Sequence, residues 1–283
     1  MMQATFISKF RYRIFPSFVF IFLTLGAFVM MMPFVWMILS AFKTDDEILK
    51  MPIQWFPSNW LFDNFSRALL YQPILTQMLN TFILAVLKIG GEVFVSAGVA
   101  YGFARFKFKG KNVLFMILLA TMMLPYEVTM IPTFIFWGFL GLTDSYVPLV
   151  LPAYFGSAAF IFFLKMYFET FPKEIDESAI MDGASPFLIL WYIYLPLAKP
   201  ALITITLWSF MGTWNDLLGQ LIYITSDSLY TVQLGLASFS SLTGQTLWGP
   251  LMAASALALI PILILLLYAQ KYFIEGIKTT GIK

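Results

Sequence analysis

Residues 170–200 read TFPKEIDESAIMDGASPFLILWYIYLPLAKP and lie between two apolar runs of membrane length. Pro172 suits the first turn of a helix, where its missing N–H would have no intrahelical partner. Negative charge in the first turns complements the positive end of the helix dipole, and three acidic residues follow: Glu174, Asp176 and Glu177. Gly183 can end a helix in the left-handed conformation. The sequence therefore predicts a short helix over residues 172–182.

This predicted helix has the features of a docking element. It would be about 15 Å long, at a rise of 1.5 Å per residue, which is too short to span a bilayer. Ser178, Ala179 and the following Ala184 are small and would let another surface approach the backbone closely. Ser185 and Pro186 then suit the N-cap and first position of a second helix.

Composition places the chain in the membrane. Of its 283 residues, 60% are hydrophobic and 11% are charged, which is too apolar for the surface of a soluble protein of this size. The absence of Cys and His excludes disulfides, thiol chemistry, Cys/His zinc sites and imidazole catalysis. A net charge of +2 gives no reason to expect nucleic acid as a partner.

Six apolar runs are long enough to cross a bilayer. They cover residues 15–40, 74–103, 113–140, 146–168, 201–225 and 250–272. We therefore predict an all-α integral membrane protein with six transmembrane helices in residues 15–272. Residues 1–14 and 273–283 would form short segments outside the membrane.

The distribution of Lys and Arg predicts the orientation. An even number of spans puts both termini on one side, and most of the 17 basic residues fall in segments on that side. Cytoplasmic loops carry the excess of Lys and Arg in membrane proteins. We therefore expect both termini and the loop 170–200 to be cytoplasmic.

Several polar residues within or beside the spans are candidates for lining a pathway. Lys88 and Glu92 lie one helical turn apart in the second predicted span, where ionisable groups usually face protein or water. They could face a translocation pathway, but an i,i+4 ion pair buried between helices is the simpler interpretation. Glu127 lies between two prolines in the third run, which favours a structural kink or a place at the outer mouth. Asn215 and Asp216 could line a pathway or cap nearby helix breaks.

The motif ESAxxDGA in residues 177–184, followed by Leu-Pro at 195–196, resembles the EAA loop of ABC importer permeases. In that family the loop forms a coupling helix that sits in a cleft of the cytoplasmic ATPase. The positions that match are Glu177, Ser178, Ala179, Asp182, Gly183, Ala184 and Pro196. Ser178 stands where the family usually has Ala, and its similar size preserves the expected docking geometry.

Further motifs extend the resemblance over the chain: LNTF at 79–82, AYGFARFKFKGKN at 100–112 and WND at 214–216. Together they resemble the permeases of carbohydrate ABC importers, the branch that includes the maltose and glycerol-3-phosphate systems. The resemblance implies a type I ABC importer permease fold, with a core of residues 74–272, in the cytoplasmic (inner) membrane of a prokaryote.

The resemblance also implies the partners. They are a homologous permease subunit in a heterodimer, two ABC ATPase subunits that use ATP and Mg²⁺, an extracytoplasmic solute-binding protein and membrane lipid. The chain itself has no phosphate-loop motif, so we expect a transport subunit with no catalytic residue, cofactor or metal of its own.

Two alternatives remain open from the sequence. A permease for glycerol-3-phosphate or another polar solute would require a basic residue facing the pathway, and Lys88 is the candidate within a span. A membrane enzyme or scaffold could instead use residues 172–182 to recruit a soluble partner.

Overall fold

The computed structural model describes residues 15–240 and 246–280, with side chains for 17–240 and 246–270. The predicted cytoplasmic segment 1–14 and residues 281–283 of the predicted tail lie outside the described residues. The described chain is almost entirely helical, and its β-structure is one isolated bridge between Ser240 and Thr246.

The chain divides into two compact units. Unit one is Met1–Gln72 with Phe239–Leu257, and unit two is Pro73–Ser238 with Ala258–Lys283. The helices of unit one are α1 (Phe15–Ser40), α2 (Asp45–Leu49) and α3 (Asp63–Tyr71).

Unit two holds most of the helices. They are α4 (Ile74–Arg105), α5 (Lys111–Thr121), α6 (Tyr126–Phe139), α7 (Val147–Val150), a 3₁₀ turn (Leu151–Phe155), α8 (Ala158–Glu169), α9 (Glu174–Met181), α10 (Pro186–Ile189), a π-helical turn (Leu190–Tyr194), α11 (Leu195–Leu197), α12 (Lys199–Trp214), α13 (Leu218–Tyr223), a second 3₁₀ turn (Asp227–Leu229) and α14 (Val232–Ala237). The last helix, α15 (Trp248–Thr280), contributes residues to both units.

Among the described residues, four stretches are long and apolar enough to cross a membrane without a sharp bend, and they correspond to four of the predicted spans. They are Ser17–Ser40, Ile74–Arg105, Val147–Glu169 and Trp248–Gln270. Two bent helix pairs raise the number to six when each pair is taken as one span. The predicted all-helical membrane fold is therefore confirmed.

The third and fifth spans are each bent sharply. The third is bent by 92° between α5 and α6, where extended Pro125 cannot continue a helix. The fifth consists of Pro186–Leu197 and Lys199–Trp214 with an 82° bend, and α12 ends at Trp214 instead of reaching residue 225. The two prolines around Glu127 indicated a kink in the third run, but hydropathy and length did not give the angle of either bend.

In unit one, the connector after α1 is ordered around a lysine. The Lys43 side chain is buried, its ammonium donates to the carbonyl of Gln54, and it lies 4.0 Å from the ring centre of Trp36. The Asn64 amide donates to the carbonyls of Ala41 (3.0 Å) and Lys43 (2.8 Å). These bonds satisfy the backbone groups at the end of α1 without a further turn of helix.

Helix α4 organises unit two because its small residues let other segments pack closely. A Cβ on Gly91 would lie 2.5 Å from the ring of Tyr154, and Ser96 Oγ accepts a hydrogen bond of 3.0 Å from the Ser157 amide. Small residues at such contacts allow close backbone approach within a membrane. The broken segment Val147–Glu169 therefore packs along α4.

The start of α4 holds the segment before α14. Asn80 Nδ2 donates to the carbonyls of Ser228 (3.0 Å) and Tyr230 (2.9 Å). Thr81 Oγ1 accepts from the Val232 amide at 2.9 Å. The LNTF motif therefore supplies hydrogen bonds to a segment about 150 residues away in sequence.

Helix α14 approaches α4 most closely at a glycine. A Cβ on Gly235 would lie 1.7 Å from Oε1 of Gln77, a buried side chain. We predict that Gly235→Ala lowers the free energy of unfolding by about 1–3 kcal/mol, as overpacking does in closed cores. The thermal midpoint of the purified protein should fall by roughly 3–10 °C.

The matched control for this prediction is Gly98→Ala on α4. No atom lies within 4 Å of a Cβ at Gly98, so its thermal midpoint should stay unchanged or rise. Equal midpoints for the two variants would contradict the close approach of α14 to α4.

Candidate functional site

Helix α9 forms where the sequence predicts the docking helix, but it is shorter. It covers Glu174–Met181, whereas the prediction was 172–182. The predicted left-handed glycine is confirmed, since Gly183 has φ +80°. The Ala184 amide donates to the carbonyl of Ala179 at 2.9 Å, which closes the helix in the manner of a Schellman motif.

The second helix of the loop also begins where predicted. Ser185 Oγ accepts from the Leu188 amide at 3.4 Å, and Pro186 occupies the first helical position of α10. Pro196 lies in the first turn of α11, after the π-helical turn. The loop is therefore a chain of short helices leading into α12.

The exposed face of α9 consists of polar residues and two long apolar side chains, of which Ile180 is 60% exposed. Glu177, Ser178 and Asp182 are exposed, and Met181 is 87% exposed. Ala179 is buried in the core of unit two, so its small size serves packing within this chain and not the expected approach of another surface. Sequence reasoning missed the exposure of Met181 because tertiary packing decides which face of a short helix is exposed.

Three side chains hold α9 against the rest of unit two. The Arg105 Nε lies 3.1 Å from Asp176 Oδ2, and the Tyr194 hydroxyl donates to that same oxygen at 2.7 Å. Arg105 Nη2 donates to the carbonyl of Phe171 at 2.7 Å. From the sequence, Asp176 was expected only to complement the helix dipole, because its two partners lie at distant positions in the chain.

A cavity of about 590 Å³ lies in unit two. Its lining combines aromatic, hydroxyl and ionisable side chains with backbone at helix breaks. The polar and aromatic residues are Lys88, Glu92, Tyr126, Thr129, Thr133, Trp137, Ser157, Asp216 and Tyr223. Aromatic surface with a few polar groups is typical of sites for small polar ligands.

Lys88 and Glu92 do not form the ion pair that the sequence favoured. The salt bridges of the described side chains are Arg105–Asp176 and Lys165–Glu169. Glu92 Oε2 instead accepts a hydrogen bond of 2.5 Å from Ser209 Oγ on α12. Both Lys88 and Glu92 are half-buried and line the cavity.

Asp216 caps a helix and also lines the cavity. Its Oδ1 accepts from the Gly219 amide at 2.9 Å, so it caps α13, and the residue also lines the cavity. Asn215 is exposed, lies outside the cavity lining and donates to the carbonyl of Met211 at 2.9 Å. The break between α12 and α13 therefore carries two polar residues, of which Asn215 bonds a carbonyl of α12 and Asp216 bonds an amide of α13.

Glu127 lies at a kink, as the sequence favoured. It is exposed in the first turn of α6, immediately after the break at Pro125. Its neighbour Tyr126 lines the cavity, whereas Glu127 is outside the lining. Over the described residues no group of three or more acidic side chains is placed to hold a metal ion.

Comparison with known proteins identifies the family to which this architecture belongs. Residues 92–279 match the family model described as "Binding-protein-dependent transport system inner membrane component". The "Probable ABC transporter permease protein YurM" of Bacillus subtilis is 36% identical, with 94% of this chain and 88% of the relative covered. The "Arabinooligosaccharides transport system permease protein AraQ" of the same organism is 32% identical, with 96% of each chain covered.

A solved structure has the same fold over nearly the whole chain. It is the "Crystal structure of a bacterial ABC transporter involved in the import of the acidic polysaccharide alginate", with 26% identity and a TM-score of 0.79. The match covers 92% of this chain and 97% of that one. These similarities confirm the predicted resemblance to permeases of carbohydrate ABC importers. The chain belongs to the family of binding-protein-dependent transport system inner membrane components, the permease subunits of ABC importers, whose ATPase is a separate subunit.

Proposed function

We propose that this chain forms one half of the membrane pathway of an importer for a sugar or oligosaccharide, and that α9 docks on the separate ATPase. The observation that carries the proposal is the exposed polar face of α9, which continues through Asp182 to left-handed Gly183. These residues coincide with the motif that resembles the coupling helix. The names of the relatives support a carbohydrate as the solute.

The proposed assembly contains a homologous permease subunit, two ABC ATPases that use ATP and Mg²⁺, and an extracytoplasmic solute-binding protein. An exposed Met181 beside Glu177 and Asp182 offers an apolar anchor within a polar rim, the usual composition of a protein interface. The most apolar stretch of α1 contains no residue that is buried within the chain. This helix is therefore suited to contact lipid or another transmembrane helix.

The proposed orientation has both termini and residues 170–200 in the cytoplasm. Contacts within unit two agree with the predicted sides of the membrane. Asp144 Oδ1, in a predicted outer turn, accepts from the amides of Thr225 (2.9 Å) and Ser226 (2.8 Å), at the start of another predicted outer segment. Arg105 and Phe171, which are bonded to each other, both belong to segments predicted to be inside.

We assign the cavity of unit two to the solute pathway. Lys88, Glu92 and Asp216 provide charged hydrogen-bonding groups, and Trp137 and Tyr223 provide aromatic surface. Sugars present hydroxyls and apolar ring faces, which such a lining complements. Glu127 and Asn215 are adjacent in sequence to residues that line the cavity, and we propose that they lie at the margin of the pathway.

A phosphorylated polyol is a second candidate because the ammonium of Lys88 lines the cavity without pairing with Glu92. A glycerol-3-phosphate permease of Yersinia pseudotuberculosis is 32% identical to the chain. The lining carries two carboxylates for this one ammonium, however, so its charge favours an uncharged solute.

We predict that Gly183→Pro and Glu177→Lys uncouple ATP hydrolysis from transport. Proline holds φ near −65° and cannot adopt the φ of +80° that ends α9. Glu177→Lys reverses the charge on the exposed face. The measurement is the amount of solute imported per ATP hydrolysed by the assembled transporter in proteoliposomes.

The control for Gly183→Pro is Gly141→Pro, which imposes the same conflict at φ +68° in a predicted outer turn. It should retain the wild-type ratio of transport to hydrolysis. Wild-type ratios in both Gly183→Pro and Glu177→Lys would show that α9 is not the coupling element.

We also predict that Glu92→Gln raises the KM for solute by roughly 10-fold or more, since a charge-assisted hydrogen bond weakens when the charge is removed. The glutamine keeps an acceptor for Ser209, so the helix contact should survive. Asp227→Asn, in the segment before α14 and outside the cavity lining, is the control and should leave KM unchanged. An unchanged KM in Glu92→Gln would remove Glu92 from the pathway.

A further inference from the structure

We propose that Arg105, Asp176 and Tyr194 form a coupling latch, a set of positioning residues that makes α4, α9 and the π-helical turn move as one body. The proposal rests on the proposed function, because it assumes that α9 receives the movement of the ATPase. It adds the residues that pass this movement from α9 to the spans.

The latch joins three separate parts of the chain at one atom. Asp176 Oδ2, on α9, is 3.1 Å from Nε of Arg105 at the end of α4 and 2.7 Å from the hydroxyl of Tyr194 in the π-helical turn. The Arg105 Nε also bonds the Tyr194 hydroxyl directly. Arg105 further donates to the carbonyl of Phe171, which precedes α9. A displacement of α9 alone would therefore break several bonds together.

Burial makes these bonds costly to break. The side chains of Arg105 and Asp176 are 9% and 15% exposed, and Tyr194 is fully buried. Separating a buried ion pair leaves uncompensated charges in an environment of low dielectric constant, whereas an exposed pair exchanges its partner for water at little cost. The lowest-energy response to a push on α9 is then a movement of all three segments.

The tyrosine is itself fixed by aromatic packing. Its ring centre lies 4.8 Å from that of Tyr101 on α4, 5.3 Å from that of Phe168 on α8 and 5.4 Å from that of Phe171. The guanidinium of Arg105 lies 5.2 Å from the centre of the same ring. The hydroxyl of Tyr194 therefore has a defined position, and Asp176 is bonded to rigid parts of the core.

The chain contains an ion pair that serves as a matched control. Lys165 Nζ lies 2.8 Å from Glu169 Oε1, one turn apart on α8, so this salt bridge joins two residues of one helix. The Lys165 ammonium also lies 4.7 Å from the ring centre of Phe115 on α5. Glu169→Gln therefore removes the salt bridge while Lys165 keeps its contact with α5.

The test uses the complete transporter, purified with its ATPases and reconstituted in proteoliposomes. The variants are Arg105→Lys, Asp176→Asn and Tyr194→Phe, with Glu169→Gln as the control. Arg105→Lys keeps the positive charge but loses the planar fork that bonds two segments at once. The readouts are the ratio of imported solute to hydrolysed ATP, the rate of ATP hydrolysis, and the recovery of ATPase with the permease.

We expect Arg105→Lys and Asp176→Asn to lower the transport ratio by about tenfold, a size typical of coupling between sites. Tyr194→Phe should lower it by a smaller factor because the ion pair remains. ATP hydrolysis and recovery of the ATPase should stay close to wild type, and Glu169→Gln should be unchanged in all readouts. If the three residues had a purely structural role, the variants would lower the recovery of the complex. The complexes that do assemble would then keep the wild-type ratio of imported solute to hydrolysed ATP.

Two further comparisons keep the proposal falsifiable. Should Arg105→Lys and Asp176→Asn fail to assemble, Tyr194→Phe removes a single hydroxyl and still tests the latch. A wild-type ratio in the variants that assemble overturns the latch. If Glu177→Lys uncouples transport while the latch variants do not, the latch fails and the docking role of α9 stands. If Glu177→Lys and Gly183→Pro also behave as wild type, the proposed function fails as well.

Discussion

Backbone amides and carbonyls in a membrane must find partners within the protein, and this constraint governs unit two. Three of its predicted spans contain interruptions, at Pro125, at Gly156 and after Trp214. Residues at all three interruptions, including Tyr126, Gly156 and Asp216, line the same cavity. Broken helices at membrane depth are tolerated where protein or a water-filled cavity supplies hydrogen-bond partners. The cavity and the interruptions therefore depend on each other.

Helix α4 is the element against which these broken segments are ordered. Gly91 and Ser96 bring the segment 151–157 close to its axis, and Asn80 and Thr81 hold the segment before α14. The same helix carries Lys88 and Glu92 in the cavity. In a membrane the hydrophobic effect does not favour contact with protein over contact with lipid. The small and polar residues on these faces of α4 provide close packing and hydrogen bonds instead, and these make its contacts specific.

The end of α4 connects this core to the exposed helix α9. A short polar helix of eight residues has little stability by itself, so its position depends on tertiary contacts. Ala179 packs into the core, and Asp176 bonds to Arg105 and Tyr194. Because other residues of the same helix fix its position, the exposed residues of α9 remain accessible.

The amino-acid sequence by itself determined the membrane class, the approximate positions of the spans, the polar helix before Gly183 and the resemblance to importer permeases. These features depend on hydropathy and on local turn chemistry, which neighbouring residues decide. Tertiary structure alone decided the 92° angle of the bend at Pro125, the Glu92–Ser209 bond in place of a Lys88 ion pair, and the meeting of Arg105, Asp176 and Tyr194. Each of these joins residues or directions far apart in the chain, so no local pattern could specify them.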